Sequence, residues 1–316
     1  MTTGVLAGCG AGANDSTSVQ DLLVQGQKAQ SAHRDVDCIA IFSQALKRES
    51  TLVAAYVGRA SCYVEAGNPA AAVHDYSQAL ALSPEDPSIN LGRASAEEQT
   101  GNYSGSKNDF IRAGTLNSAN PTQIVQAAEG LGHLGFYEDA GQVLNQGIKR
   151  YPNYWDLHRY RGELQGVLGN DVDALAEFQS ALTLGHGANL AFILDTRANF
   201  YRQRQQFGLA LADYDRAVKL DPDQYWLFAA RARVQMAAGG LKKAELDFST
   251  AIRLMEAVDP QSGILAGLLE ERGKVFIQEG LKLQARDDLQ EALRLTASTD
   301  TSTRTRLAAL IASLGL

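Results

Sequence analysis

Gly130, Gly132 and Gly135 stand at the spacing G-x-G-x-x-G. That spacing lets backbone amides close on a pyrophosphate, but only where a strand leads in and a helix leads out. Here the residues before Gly130 read as helix, and Gly135 falls at a turn between helices, so a nucleotide site is not expected. The five histidines, His33, His74, His133, His158 and His186, never pair at i, i+4, and none has a cysteine at ligand spacing. No serine, threonine or cysteine nucleophile has a base at a recognisable distance along the chain. Neither a cofactor, a metal nor an enzymatic activity is therefore expected. The formal net charge of -7 argues against a broad phosphate-binding surface and hence against nucleic acid as a partner.

What the sequence does carry is a scaffold pattern. A Gly or Ala recurs at Gly26, Ala60, Ala94, Ala128, Gly162, Ala198, Ala232 and Gly273. Twelve residues after each comes a small side chain, from Cys38 and Ala72 through to Ala285. Four further on stands a large apolar one: Phe42, Tyr76, Phe110, Leu144, Phe178, Tyr214, Phe248 and Leu289. Three beyond that is Ala or Gly again. A period of 34 residues is that of a helix-pair repeat. Small residues let backbones approach, and the large one fills the space between neighbours. A pair cannot bury its apolar face alone, so pairs stack.

The pattern resembles the tetratricopeptide repeat. The resemblance covers residues 19–299 and implies an all-α chain: a right-handed superhelical solenoid of eight helix pairs plus a C-terminal capping helix. The units implied are 19–52, 53–86, 87–120, 121–154, 155–190, 191–224, 225–265 and 266–299. Gly67, Gly101, Gly135, Gly169, Gly239 and Gly280 fall at the turn inside the pair, where a left-handed residue is wanted. Pro84, Pro152 and Pro222 fall where the second helix must stop. The period slips near Gly185–Gly187 and again around Met255–Gly263, which implies either binding loops or simply lengthened helices. Leu307, Leu310, Ile311 and Leu314 make an apolar stripe that fits a helix over 300–316 capping the last unit.

Members of the family bind proteins or peptides along the concave face of the first helices. Carried over, that face offers Phe192, Asn199, Arg202, Trp226, Arg233, Met236 and Lys274 in the later units. In the early units it is neutral to acidic, with residues such as Gln27, Ser95, Glu98 and Glu129. Aromatics and arginine are the types that anchor interfaces, so a protein segment gripped by the fifth to seventh units is expected. Within six units an arginine at position 7 faces an acid at position 23: Arg59–Asp75, Arg93–Asp109, Arg161–Glu177, Arg197–Asp213, Arg231–Asp247 and Arg272–Asp288. The units without the arginine, at Gln25 and Ala127, also lack the acid. An ion pair inside each of the six repeats is expected.

Leu6-Ala7-Gly8-Cys9 resembles a bacterial lipobox, followed by a small polar tether over residues 10–18. It implies a lipidated Cys9, a membrane anchor and a place in the cell envelope, although only Met1–Val5 precede the box. The alternatives are a soluble cytoplasmic adaptor or a self-associating structural subunit. Cys38 and Cys62 fall on helices that a stack makes neighbours. They are either a disulfide, as an oxidising compartment allows, or two buried thiols acting as small apolar side chains.

Overall fold

The computed structural model describes residues 17–315. Among these residues every regular element is a helix, and the helices come in pairs. The first four pairs are α1 (Val19–Ser31) with α2 (Asp35–Arg48), α3 (Val53–Glu65) with α4 (Pro69–Leu82), α5 (Pro87–Thr100) with α6 (Tyr103–Thr115), and α7 (Pro121–His133) with α8 (Tyr137–Arg150). The next four are α9 (Trp155–Val167) with α10 (Asp171–Leu184), α11 (Ala188–Gln203) with α12 (Phe207–Leu220), α13 (Tyr225–Ala237) with α14 (Leu241–Val258), and α15 (Gly263–Gln278) with α16 (Lys282–Leu295). A last helix, α17 (Thr301–Ser313), follows them.

The chain divides into two compact units, residues up to Pro152 and residues from Asn153. The boundary falls between the fourth and fifth pairs, inside the stretch that the repeat pattern treats as one continuous array. Within each unit a helix packs on its partner, and the second helix of a pair packs on the first helix of the next.

Local chemistry sets the helix ends. Ser18 and Asp21 form a capping box at α1, as do Asn120 and Gln123 at α7. Pro69, Pro87 and Pro121 occupy first-turn positions, where the missing N–H costs nothing. Pro84, Pro152 and Pro222 each lie two residues past the last helical one. The six turn glycines all hold φ between +74° and +82°. In the first and sixth repeats the same place is taken by His33 at φ +50° and Gln205 at φ +58°, whose Cβ atoms make this region costlier than it is for glycine.

The recurrent large residue does what its spacing implies. The Phe42 ring is wedged between Gly26 of α1 and Gly58 of α3, and a Cβ at Gly26 would lie 2.6 Å from Cζ. Tyr76 meets Gly92 in the same way in the next step. Ring and glycine are one packing unit, because the ring occupies the volume that any larger residue would need.

Both slips of the period lengthen helices. α11 and α15 run 16 residues and α14 runs 18, where the others run 13 or 14. At the C-terminus Leu307 and Leu314 are buried in the cluster formed by α13–α16, with Leu310 and Ile311 packed against it. Arg306 donates to Glu270 at 3.1 and 2.8 Å, and Lys282 Nζ to the Leu314 carbonyl at 2.8 Å, so the cap is bound at both ends.

Candidate functional site

The arginines at position 7 fasten the two helices of a repeat together. Arg59 donates to both carboxylate oxygens of Asp75, Nε at 2.6 Å and Nη2 at 2.8 Å. Arg93–Asp109, Arg197–Asp213, Arg231–Asp247 and Arg272–Asp288 repeat this two-pronged geometry at 2.6–2.8 Å. All five aspartates are buried. Arg161 and Glu177 are 3.4 Å apart, and His158 Nδ1 takes the other Glu177 oxygen at 2.8 Å. The longer glutamate thus divides itself between two partners.

Repeat spacing alone did not reveal a third partner. The free Nη1 of Arg59 reaches Ser43 Oγ of the preceding repeat at 3.0 Å, and Arg93, Arg231 and Arg272 likewise reach Ser77, Asp215 and Ser249. Each of these arginines therefore ties three helices. These charges are structural: hydrogen bonds to the aspartates hold the Arg59 and Arg231 guanidinium pKa above the usual value.

The first helices of the second unit carry a different constellation. Trp155 of α9, Phe192 of α11 and Trp226 of α13 form a row, their ring centroids 6.3 and 6.5 Å apart and each contact edge-to-face. Tyr154 stacks on the Trp155 end at 6.3 Å. Phe192, in the middle, is 40 % exposed, a large apolar area for a residue that packs on two rings. Beneath it lies the Arg159 guanidinium, 4.9 Å from the Phe192 centroid and itself only 4 % exposed. Asp156 and Glu163, both at 2.5 Å, hold Arg159 in place.

One turn along α11 from Phe192 stands a half-buried acid. Asp195 Oδ1 accepts from Tyr214 Oη at 2.9 Å and from Asn199 Nδ2 at 3.2 Å. Burial pushes the Asp195 carboxyl above its ordinary value, and the two hydrogen bonds pull the other way. Asn199 Oδ1 in turn accepts from exposed Arg202 at 3.3 Å. Further along, Arg233 is held by Glu271 at 2.9 Å, Lys274 by Glu270 at 2.7 Å, and Met236 packs against the α13–α17 core. Of the residues expected on this face, Phe192 and Trp226 meet ring to ring, and Asn199 and Arg202 form a hydrogen-bonded chain leading from Asp195. Arg233 and Lys274 are engaged by acids of α15, and Met236 is partly buried. Trp155 was not among those expected, because it occupies the first position of its repeat instead of the second.

In the first unit the corresponding surface is a cavity of about 400 Å³ between the first helices α5 and α7, lined by Ser95, Glu98, Gln126, Glu129 and His133. Phe110 forms part of its wall.

One family model of the tetratricopeptide repeat matches residues 57–113 and 126–189, and a second matches residues 193–224. This chain is a tetratricopeptide repeat protein. A tetratricopeptide repeat protein from Parabacteroides merdae has a similar structure, with TM-score 0.54 and 18 % identity over 82 % of this chain and 98 % of that one. A human IFIT1 dimer with m7Gppp-AAAA aligns at TM-score 0.53 and 15 % identity, covering 94 % of this chain and 63 % of that one. The Cut9–Hcn1 hetero-tetramer of the APC/C aligns at 0.51 and 14 %, covering 95 % and 56 %. At such identities the likeness is one of fold. No curated protein matches the sequence.

The chain has a disulfide bond between Cys38 of α2 and Cys62 of α3, with Cα atoms 6.3 Å apart. It joins the first repeat to the second inside the cluster around Phe42. Cys9 lies outside the described residues. Among the described residues no group of acids, histidines and cysteines could hold a metal ion, and no helix is long and apolar enough to cross a membrane.

Proposed function

We propose that this tetratricopeptide repeat protein is a non-enzymatic docking scaffold of the cell envelope, anchored through a lipidated Cys9. A segment of a partner protein lies along α9, α11 and α13. The observation that carries this reading is the row Trp155–Phe192–Trp226. It is continuous over three repeats, half open to solvent at Phe192, and backed by fixed charges. Rigid aromatic anchors over a pre-formed polar network are the features that let a small number of residues hold a partner tightly. The lining carries no reacting constellation: its acids and arginines are bonded to one another instead of to a nucleophile. Partners of nucleic-acid type fit poorly with a chain of net charge -7.

The Cys38–Cys62 bond supports the envelope setting, since such bonds persist in oxidising compartments. Two measurements test the reading. Expressed from its own gene in its native host, the protein fractionates with membranes and the Cys9→Ala variant is released; equal membrane association of both removes the anchor from Cys9. A partner recovered with the wild type is lost with Phe192→Ala and kept with Val172→Ala, a change at an exposed residue of a second helix. Loss with Val172→Ala alone moves the site to the second helices.

A further inference from the structure

A slot separate from the row just described lies between α12 and α14, with α13 as its floor. It emerges from comparing the repeats with one another. In the second repeat the Arg59 guanidinium is flanked by two rings of its own helix, Tyr56 at 5.9 Å and Tyr63 at 6.0 Å. The residue at the place of Tyr63 is Tyr201 in the sixth repeat, 5.8 Å from Arg197, and Phe276 in the eighth, 5.6 Å from Arg272. Three times, then, the chain lays one of its own rings over the arginine. In the third and fifth repeats this place holds Glu97 and Gln165, and a following asparagine caps each: Asn102 Nδ2 donates to Glu97 Oε1 at 3.3 Å, and Asn170 Nδ2 to Gln165 Oε1 at 2.8 Å.

The seventh repeat has neither device. Arg231 has Phe228 at 5.7 Å on one side, as Arg59 has Tyr56. At the repeat position of Tyr63 stands Gln235, and at the asparagine's place stands Gly240. Two openings result, of about 510 and 330 Å³. They share Gln235, Leu211 and Lys243; Gly240 lines the larger and Arg231 the smaller. Gln235 is 8 % exposed, and its Oε1 is buried without a hydrogen-bond partner among the described residues. A buried amide oxygen left unpaired is costly, so it calls for a donor from outside.

We propose that this slot receives a tyrosine side chain of a partner protein. The ring lies against Arg231 in the smaller opening and gives that arginine a second aromatic neighbour, as Arg59 has, a cation–π contact worth most where water is excluded. Its hydroxyl donates to Gln235 Oε1, and Leu211 closes one wall. Phenylalanine fills the same space but leaves the amide oxygen unpaired. The slot is thus built to distinguish tyrosine from phenylalanine by one hydrogen bond.

The test uses the full chain, with N-acetyl-L-tyrosinamide as probe and N-acetyl-L-phenylalaninamide and N-acetyl-L-alaninamide as controls. NMR follows the Gln235 side-chain amide and Arg231 Nε–H. Saturable shifts are expected for the tyrosine probe, with affinity roughly fivefold above the phenylalanine probe, as one net hydrogen bond allows, and none for alanine. Gly240→Asn restores the cap found at Asn170. It should fold: Gly240 has φ -86° against -87° for Asn170, and a Cβ there meets its nearest atom at 3.4 Å. It should weaken the tyrosine probe at least tenfold, as should Gln235→Tyr, which supplies the ring from within. Non-saturating shifts, or an affinity unchanged in Gly240→Asn, overturn the proposal.

Discussion

Arg59 and Asp75 meet across the two helices of the second repeat in a two-pronged ion pair, with the aspartate side chain 2 % exposed and the arginine 19 %. A pair taken this far from water is strong once made, but forming it required both ions to lose hydration. Removing one partner leaves the other stranded. Replacing both with apolar side chains removes the desolvation cost along with the attraction.

Arg59→Met or Asp75→Leu alone should therefore lower the unfolding free energy by about 3 kcal/mol. The double variant Arg59→Met, Asp75→Leu should stay within about 1 kcal/mol of the wild type. Urea unfolding of the four proteins gives the coupling directly. A double variant as unstable as the two single changes added together would show that the pair is not the unit of stability.

Gln205 holds φ +58° at the turn where six other repeats have glycine. Gln205→Gly should stabilise the second unit by about 0.5–1 kcal/mol, the relief of left-handed strain outweighing the extra freedom glycine has in the unfolded chain. The converse change, Gly135→Ala, should cost about 1–2 kcal/mol. Thermal melts of both decide it. Equal melting temperatures for Gln205→Gly and wild type would mean that the surrounding turn already absorbs the strain.

The repeat, its turns and its ion pairs were legible in the sequence because each is a strictly local register. An arginine and an acid sixteen residues apart, present or absent together, can lie only on facing helices of one pair. Ser43 and Asp215 were not legible as partners. They belong to the preceding repeat, and their spacing to the arginine carries no charge pattern of its own. The aromatic row was half legible: Phe192 and Trp226 stand at matching positions, whereas Trp155 joins them from one residue earlier by the way its ring lies. The hydrogen bonding of Asp195 was not legible at all. It depends on Tyr214 reaching across from α12, and tyrosine at that place reads as ordinary core.

Desolvation of the Asp195 carboxyl sets a pH dependence. The folded-state pKa of Asp195 is raised, so the protonated acid is the form that the fold favours. The stability this group contributes is present at low pH and is lost as pH rises through its folded pKa. Asp195→Asn keeps an acceptor for Tyr214 and cannot ionise. Relative to wild type the variant should therefore gain stability between pH 4 and pH 7. Parallel urea titrations at the two pH values measure this, and a stability difference that is flat, or that shrinks with pH, contradicts it.

The central claim is that a partner protein lies along the first helices α9, α11 and α13. The most direct test places a photo-crosslinking residue in the full-length protein in its native host, once at Phe192 and once at Val172 on the second helix α10. Irradiation should give one discrete protein adduct from position 192, absent from position 172 and abolished when Trp226→Ala is added. Adducts of the same kind from both positions, or from position 172 alone, would contradict the account.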